Sequence, residues 1–182
     1  ALSILIGYLL GNEKELLTIV DSGGSRMNRL ERLLTYIEND YVEKINTDKG
    51  TMVVEFYEKD APNTVNNFVK LAKEGFYKDL NFHRVIPGFV AQGGCPNGTG
   101  AGGPGYKIDC ELDGDNQFHD RGVLSMAHAG RNTGGSQFFL VHTRNATQHL
   151  DRNHTCFGKV VEGLDVIEKI QQGDKFNVEI EG

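Results

Sequence analysis

Residues Phe82 to Gly94 read Phe-His-Arg-Val-Ile-Pro-Gly-Phe-Val-Ala-Gln-Gly-Gly, two short apolar runs on either side of Pro87-Gly88. The Pro-Gly pair is a turn signal, so the stretch is predicted to form two strands meeting at a tight bend. Period-two alternation then places Arg84 on the face of Phe82 and Ile86, and Val90 on the face of Gln92. This sets an arginine among apolar neighbours with an amide nearby to hold it. The alternative is a guanidinium that reaches water while its stem lies along the surface.

The rest of the chain supplies elements to go with this pair. Residues 41–57 read as a hairpin turning at Asp48-Lys49-Gly50, with Met52, Val54 and Phe56 alternating toward a core. Asp60-Ala61-Pro62-Asn63 starts a helix, because a proline in the first turn loses no hydrogen bond. Val65, Phe68, Val69, Ala72 and Phe76 form its apolar stripe, and Gly75 is its end signal. Short strands follow, apart from a helical spacing over Leu164–Ile170 before Gly173. The expectation is an antiparallel β domain with two covering helices.

Residues 1–40 are of another kind. Ala1–Leu10 is apolar but shorter than the roughly 20 residues a bilayer span needs, and it has neither the basic leader nor the cleavage site of a secretory signal. Leu16–Val20 is apolar again, and Ser22-Gly23-Gly24-Ser25 is a flexible linker by composition. Leu30, Leu33, Leu34, Ile37 and Tyr41 then recur at amphipathic-helix spacing. That stripe could be buried on the main domain, on Ala1–Val20, or on a partner chain by self-association.

Several function classes are disfavoured. A net charge of −6 argues against nucleic-acid binding as the main role. Three cysteines, Cys95, Cys110 and Cys156, make no disulfide scaffold and point to a reducing, cytoplasmic compartment, with a Cys95–Cys110 pairing left open. Gly98, Gly100 and Gly103 satisfy G-x-G-x-x-G, yet no helix can start across Gly102-Gly103-Pro104-Gly105 to hold a phosphate. His149, His154 and Cys156 lack the usual spacing of metal ligands. Ser125 and Ser136 sit in no nucleophile elbow, and spacing implies no acid–base partner for either.

Taken together, Phe82–Gly94, Ser125-Met126-Ala127-His128-Ala129-Gly130, Gly135-Ser136-Gln137-Phe138-Phe139, and Leu150-Asp151 followed by His154 and Phe157-Gly158-Lys159-Val160 resemble the cyclophilin family of peptidyl-prolyl isomerases. The resemblance runs from about Tyr41 to Glu181, so residues 41–182 are expected to form the isomerase domain and 1–40 an extension. It implies a mainly β fold, a closed eight-stranded antiparallel barrel capped by two helices. Alternation along 137–142 puts Gln137, Phe139 and Val141 on one face and Phe138, Leu140 and His142 on the other, so one phenylalanine is core and the other is available to a ligand.

The implied activity is rotation of X–Pro peptide bonds in peptides and in unfolded or folding proteins, which breaks no bond and needs no cofactor or metal. By matching position, Arg84 is the catalytic donor, Gln92 orients it, and His83 stands beside it. Phe89, Val90, Ala127, His128, Ala129, Gln137, Phe139, Leu150 and His154 hold the substrate, His128 through its backbone. Three positions depart from the common pattern. Val90 replaces a frequent methionine, and His128 a frequent asparagine. His149 replaces the tryptophan associated with cyclosporin binding, which weakens the case for a cyclosporin-like ligand and gives the chain a bacterial look. Two other readings are a proline-peptide binding module with little catalysis and a scaffold assembled through residues 1–40.

Overall fold

A computed structural model of the protein describes residues 42–181; the expectations for residues 1–40 lie outside them. Nine strands form one antiparallel sheet: β1 (Val42–Thr47), β2 (Gly50–Phe56), β3 (Leu80–Asn81), β4 (Arg84–Ile86), β5 (Val90–Gly93), β6 (Val123–Met126), β7 (Phe138–Val141), β8 (Cys156–Glu162) and β9 (Lys175–Glu181). Their order is β3-β9-β1-β2-β8-β6-β7-β5-β4. The two edge strands are neighbours in sequence, separated only by Phe82 and His83. Taken as one interrupted strand, they reduce the nine to the expected eight. The first half pairs with β9 and the second with β5, so the run Leu80–Ile86 joins the two ends of the curled sheet.

That interruption corrects one expectation. Phe82 is fully buried in the main core, and Val85 also packs on that core, while Arg84 and Ile86 are exposed. Arg84 therefore shares a face with Ile86 but not with Phe82. Period two holds only within a continuous strand, and the non-strand residues Phe82–His83 reset its phase.

The hairpin β1–β2 turns at Asp48-Lys49 with Thr47 opposite Gly50, and Met52, Val54 and Phe56 are buried as the alternation requires. Helix α1 (Pro62–Lys73) begins at its proline. It ends in a Schellman arrangement, Phe76 N–H donating to Leu71 O and Gly75 N–H to Ala72 O. Its first turn is capped from a distant loop: the Glu111 carboxylate accepts from the backbone and side chains of both Asn63 and Thr64 at 2.8–3.1 Å. A carboxylate there also meets the positive end of the helix. The buried face of α1 centres on Phe68, whose ring lies 4.7 Å from Tyr77, 5.2 Å from Phe157, 5.3 Å from Phe138 and 6.1 Å from Phe56. Helix α3 (Leu164–Lys169) is the second expected helix. A short helix, α2 (Arg144–Thr147), continued by a 3-10 turn at Gln148–Leu150, falls in a region read from sequence as strands and loops.

One residue is out of character with this core. Glu43 on β1 is fully buried, and neither carboxyl oxygen has a hydrogen-bond partner among the described residues. Burial pushes its carboxyl well above the ordinary range. A carboxyl raised in the folded state contributes fully below its unfolded value near 4.3, and that contribution is lost as pH rises through the folded value. We therefore expect Glu43→Leu to stabilise the protein by about 1–3 kcal/mol at about pH 8 and by less at about pH 4, read from urea midpoints. An equal effect at both pH values would show that the charge is not the cause.

Candidate active site

The Pro87-Gly88 bend is a β-turn closed by Phe89 N–H donating to Ile86 O at 3.0 Å, with Gly88 at φ 76°. Proline presets the first central position and glycine accepts the positive φ of the second, the requirements of a type II turn. The turn brings β4 back along β5 with Arg84 opposite Gln92. Gly94, just past the end of β5, has φ 84° and lies so close to the Ser136 carbonyl that no β-carbon fits between them. This fixes β5 against the start of β7.

Strand β7 is buried on both faces. Phe138 and Leu140 enter the main core, whereas Phe139 and Val141 join Val90, Val123 and Cys156 in a second cluster on the other side of the sheet. Phe89, Ala127 and Leu150 pack on this second cluster. A cavity of about 270 Å³ opens above it, lined by Arg84, Phe89, Val90, Gln92, Ala127, His128, Phe139, Leu150 and His154. An apolar hollow with a few convergent polar groups is the usual composition of a ligand site.

Arg84 is held by a chain of amides. Its Nη1 donates to Gln92 Oε1 at 3.3 Å, and Gln92 Nε2 donates to Gln137 Oε1 at 3.1 Å. Gln137 Nε2 donates in turn to the carbonyls of Gly100 and Gly102, both at 2.8 Å. The glycine-rich loop thus has a role that its motif alone did not reveal: its backbone fixes the amide that fixes the amide that orients the arginine. The loop is itself tied to Cys95, whose sulfur accepts from Gly100 N–H at 3.2 Å and Gly102 N–H at 3.3 Å. Cys95 and Cys110 are both free thiols, so the disulfide left open by the sequence does not form.

Three residues expected at the site lie outside this cavity. Ala129 and Gln137 line a neighbouring concavity of about 400 Å³ with Gly102, Pro104, Tyr106 and Thr133, and Gln92, Ala127 and His128 border both hollows. His83 faces neither. Its ring lies beside Gly100, with Nδ1 buried and unpartnered among the described residues, and burial lowers its basicity ahead of the nearby Arg84 charge. His149 stacks on Phe89 with ring centroids 6.0 Å apart.

Beneath the cavity lies a polar network that sequence spacing gave no reason to expect. His119 is fully buried, donates from Nδ1 to Asp151 Oδ1 at 3.2 Å, and has Nε2 2.8 Å from Ser125 Oγ. Arg144 from α2 grips Asp151 with two bonds of 2.7 and 2.6 Å and, as the leading cause, holds its carboxyl down to about 2. The order serine, histidine, aspartate matches a hydrolase relay, but Ser125 is fully buried and has no surface to offer a substrate. The network is a foundation: the His119 ring stacks on Phe139 at 5.7 Å, and Asp151 adjoins the cavity residue Leu150.

Burial lowers the His119 imidazole to about 4, outweighing the hydrogen bond and charge of Asp151 that act in the opposite sense. An imidazole depressed from about 6.5 is protonated first in the unfolded chain, so its stabilising effect is complete above that value and is lost as pH falls toward 4. The stability lost over that window is on the order of 3 kcal/mol. We expect the His119 ring signals in an NMR titration to stay those of a neutral imidazole at about pH 5.5; a midpoint near the ordinary value would contradict the buried network.

Residues 42–181 match the family described as cyclophilin type peptidyl-prolyl cis-trans isomerase/CLD. A peptidyl-prolyl cis-trans isomerase of Helicobacter pylori is 61% identical over 132 residues, covering 71% of this chain and 80% of that one. The peptidyl-prolyl cis-trans isomerase B of Bacillus subtilis is 56% identical over 136 residues, 74% of this chain and 94% of the relative. Among solved structures, a Cryptosporidium parvum cyclophilin type peptidyl-prolyl cis-trans isomerase, crystallised in the presence of the dipeptide Ala-Pro, superimposes with a TM-score of 0.70 at 32% identity, over 78% of this chain and 99% of the other. With the barrel, the apolar cavity and the amide-held arginine already in place, these likenesses show that the chain belongs to the cyclophilin-type peptidyl-prolyl cis-trans isomerase family.

Proposed function

We propose that this protein accelerates cis–trans rotation of X–Pro bonds in peptides and folding chains, with Arg84 as the group that stabilises the transition state. The observation that carries the reading is the placement of Arg84 at the rim of the apolar cavity, its head held by Gln92. The uncatalysed barrier is about 18–20 kcal/mol because rotation destroys amide resonance. As the bond twists, the prolyl nitrogen becomes pyramidal and regains a lone pair. A guanidinium donating to that lone pair binds the twisted amide better than either planar form, which is what raises a rate.

In this mechanism the proline ring sits over Phe139 between Val90 and Leu150, the backbone of Ala127–Ala129 hydrogen-bonds the substrate chain, and the part beyond the proline turns. His83 is left out of direct contact and acts only through the loop behind Arg84. A cyclosporin-like ligand would meet the imidazole of His149 stacked on Phe89, so weak inhibition is the expectation. Residues 41–182 are taken as the isomerase domain, and 1–40 as an extension with a separate role such as self-association. The three free thiols suit a cytoplasmic setting, and among the described residues no helix is long and apolar enough to cross a membrane.

The test is NMR exchange between cis and trans forms of a short Ala-Pro peptide. Arg84→Ala is expected to lower catalysed exchange about 10²–10³-fold, the usual loss for one transition-state donor, while peptide affinity falls only modestly. Equal losses in turnover and affinity would overturn the role of Arg84 in stabilising the transition state, and no catalysed exchange by the folded wild type would favour a proline-peptide binding module.

A further inference from the structure

His128 stands on the wall between the two concavities, and its side chain has an arrangement that the isomerase mechanism does not use. Nε2 lies 2.8 Å from the carbonyl of Asn153, so it must carry a proton and donate. Nδ1 accepts from the backbone N–H of Gly130 at 3.2 Å, so it must be bare. Only the neutral ring with its proton on Nε2 can do both. The ring also lies flat on His154, centroids 3.9 Å apart and planes 14° from parallel, and His154 donates from Nδ1 to Met126 O at 3.0 Å. These contacts splint the segment that leaves β6 at Met126 and turns back at Gly130, which is the segment whose backbone would hold the substrate.

Resting on the isomerase reading of the site, we propose that neutral His128 is a positioning residue that keeps the Ala127–Gly130 backbone in its substrate-binding form, and that protonating its Nδ1 releases this rim and lowers activity in acid. A proton on Nδ1 turns an acceptor into a donor facing the Gly130 N–H, and the bond cannot survive the change. The groups around the ring offer the new charge no compensation. His154 is stacked on it, His119 lies behind His154 at 6.4 Å, Arg84 shares the cavity, and Lys107 lines the other hollow. His149 on the 3-10 turn acts on His154 with the same sign. The carboxylate of Asp151 is committed to Arg144 and His119.

The test compares the full chain with His128→Asn and His128→Gln, each normalised to its own exchange rate at about pH 8. Asparagine places an oxygen near the Nδ1 position and keeps an acceptor that does not titrate, whereas glutamine reaches the Nε2 position and keeps only the donor. The wild type is expected to lose activity several-fold as pH falls from about 8 to about 5.5. His128→Asn should be nearly flat over that range; His128→Gln should be flat as well, with an unnormalised rate at about pH 8 below that of the wild type. An acid loss in His128→Asn equal to that of the wild type, or a flat wild type, would overturn the proposal. The Gly130 amide provides a readout independent of turnover: its shift should follow the His128 ring nitrogens in the wild type and stay fixed in His128→Asn. An amide that ignores the ring titration would also overturn the proposal. Absence of catalysed exchange in the wild type at about pH 8 would refute the isomerase reading instead, and the amide titration would still decide the role of His128.

Discussion

Strand β7 cannot expose either face. Phe138 and Leu140 complete the barrel core around Phe68, while Phe139 and Val141 need apolar cover on the opposite side. An antiparallel sheet can leave one face to water, but four consecutive apolar residues remove that option. The second cluster is the result, and the cavity is the part of it that the protein leaves uncovered. Core and candidate site are therefore two sides of one strand, so the pocket floor inherits the rigidity of the packed interior.

The polar half of the site is built by relays rather than by direct placement. Arg84 is exposed on a three-residue strand and would wander without Gln92; Gln92 depends on Gln137, and Gln137 on two loop carbonyls. On the other wall, Arg144 holds Asp151, Asp151 holds His119, and the His119 ring supports Phe139. Each relay ends on backbone or on a partly buried ion pair, which restricts the rotamers of the groups facing the cavity. Binding and orientation then lose less conformational freedom when substrate arrives.

Much of this was legible in the sequence because the signals were local. The hairpin at Asp48-Lys49, the proline start of α1, the Pro87-Gly88 turn and the two-faced pattern of Phe138–Val141 each depend on a few adjacent residues, and each formed as read. The failures have a common origin in non-local pairing. The phase reset at Phe82–His83 arises because one run must serve two partners, β9 and β5. The union of Ser125 with His119 and Asp151 spans 32 residues of chain and rests on the short helix α2, whose four residues carry no usable periodicity. His83 adjoins Arg84 in sequence, yet it lies in the break between β3 and β4, and its ring sits beside Gly100 rather than in the cavity.

The interrupted strand also bears on the company such a protein keeps. Unfolded chains present extended backbone with unpaired N–H and C=O groups, and a long free sheet edge would recruit them as extra strands. Here, among the described residues, the two terminal strands of the ladder are two and three residues long, and they lie end to end within a single run of chain. Terminal strands this short offer such chains little template for pairing along that run.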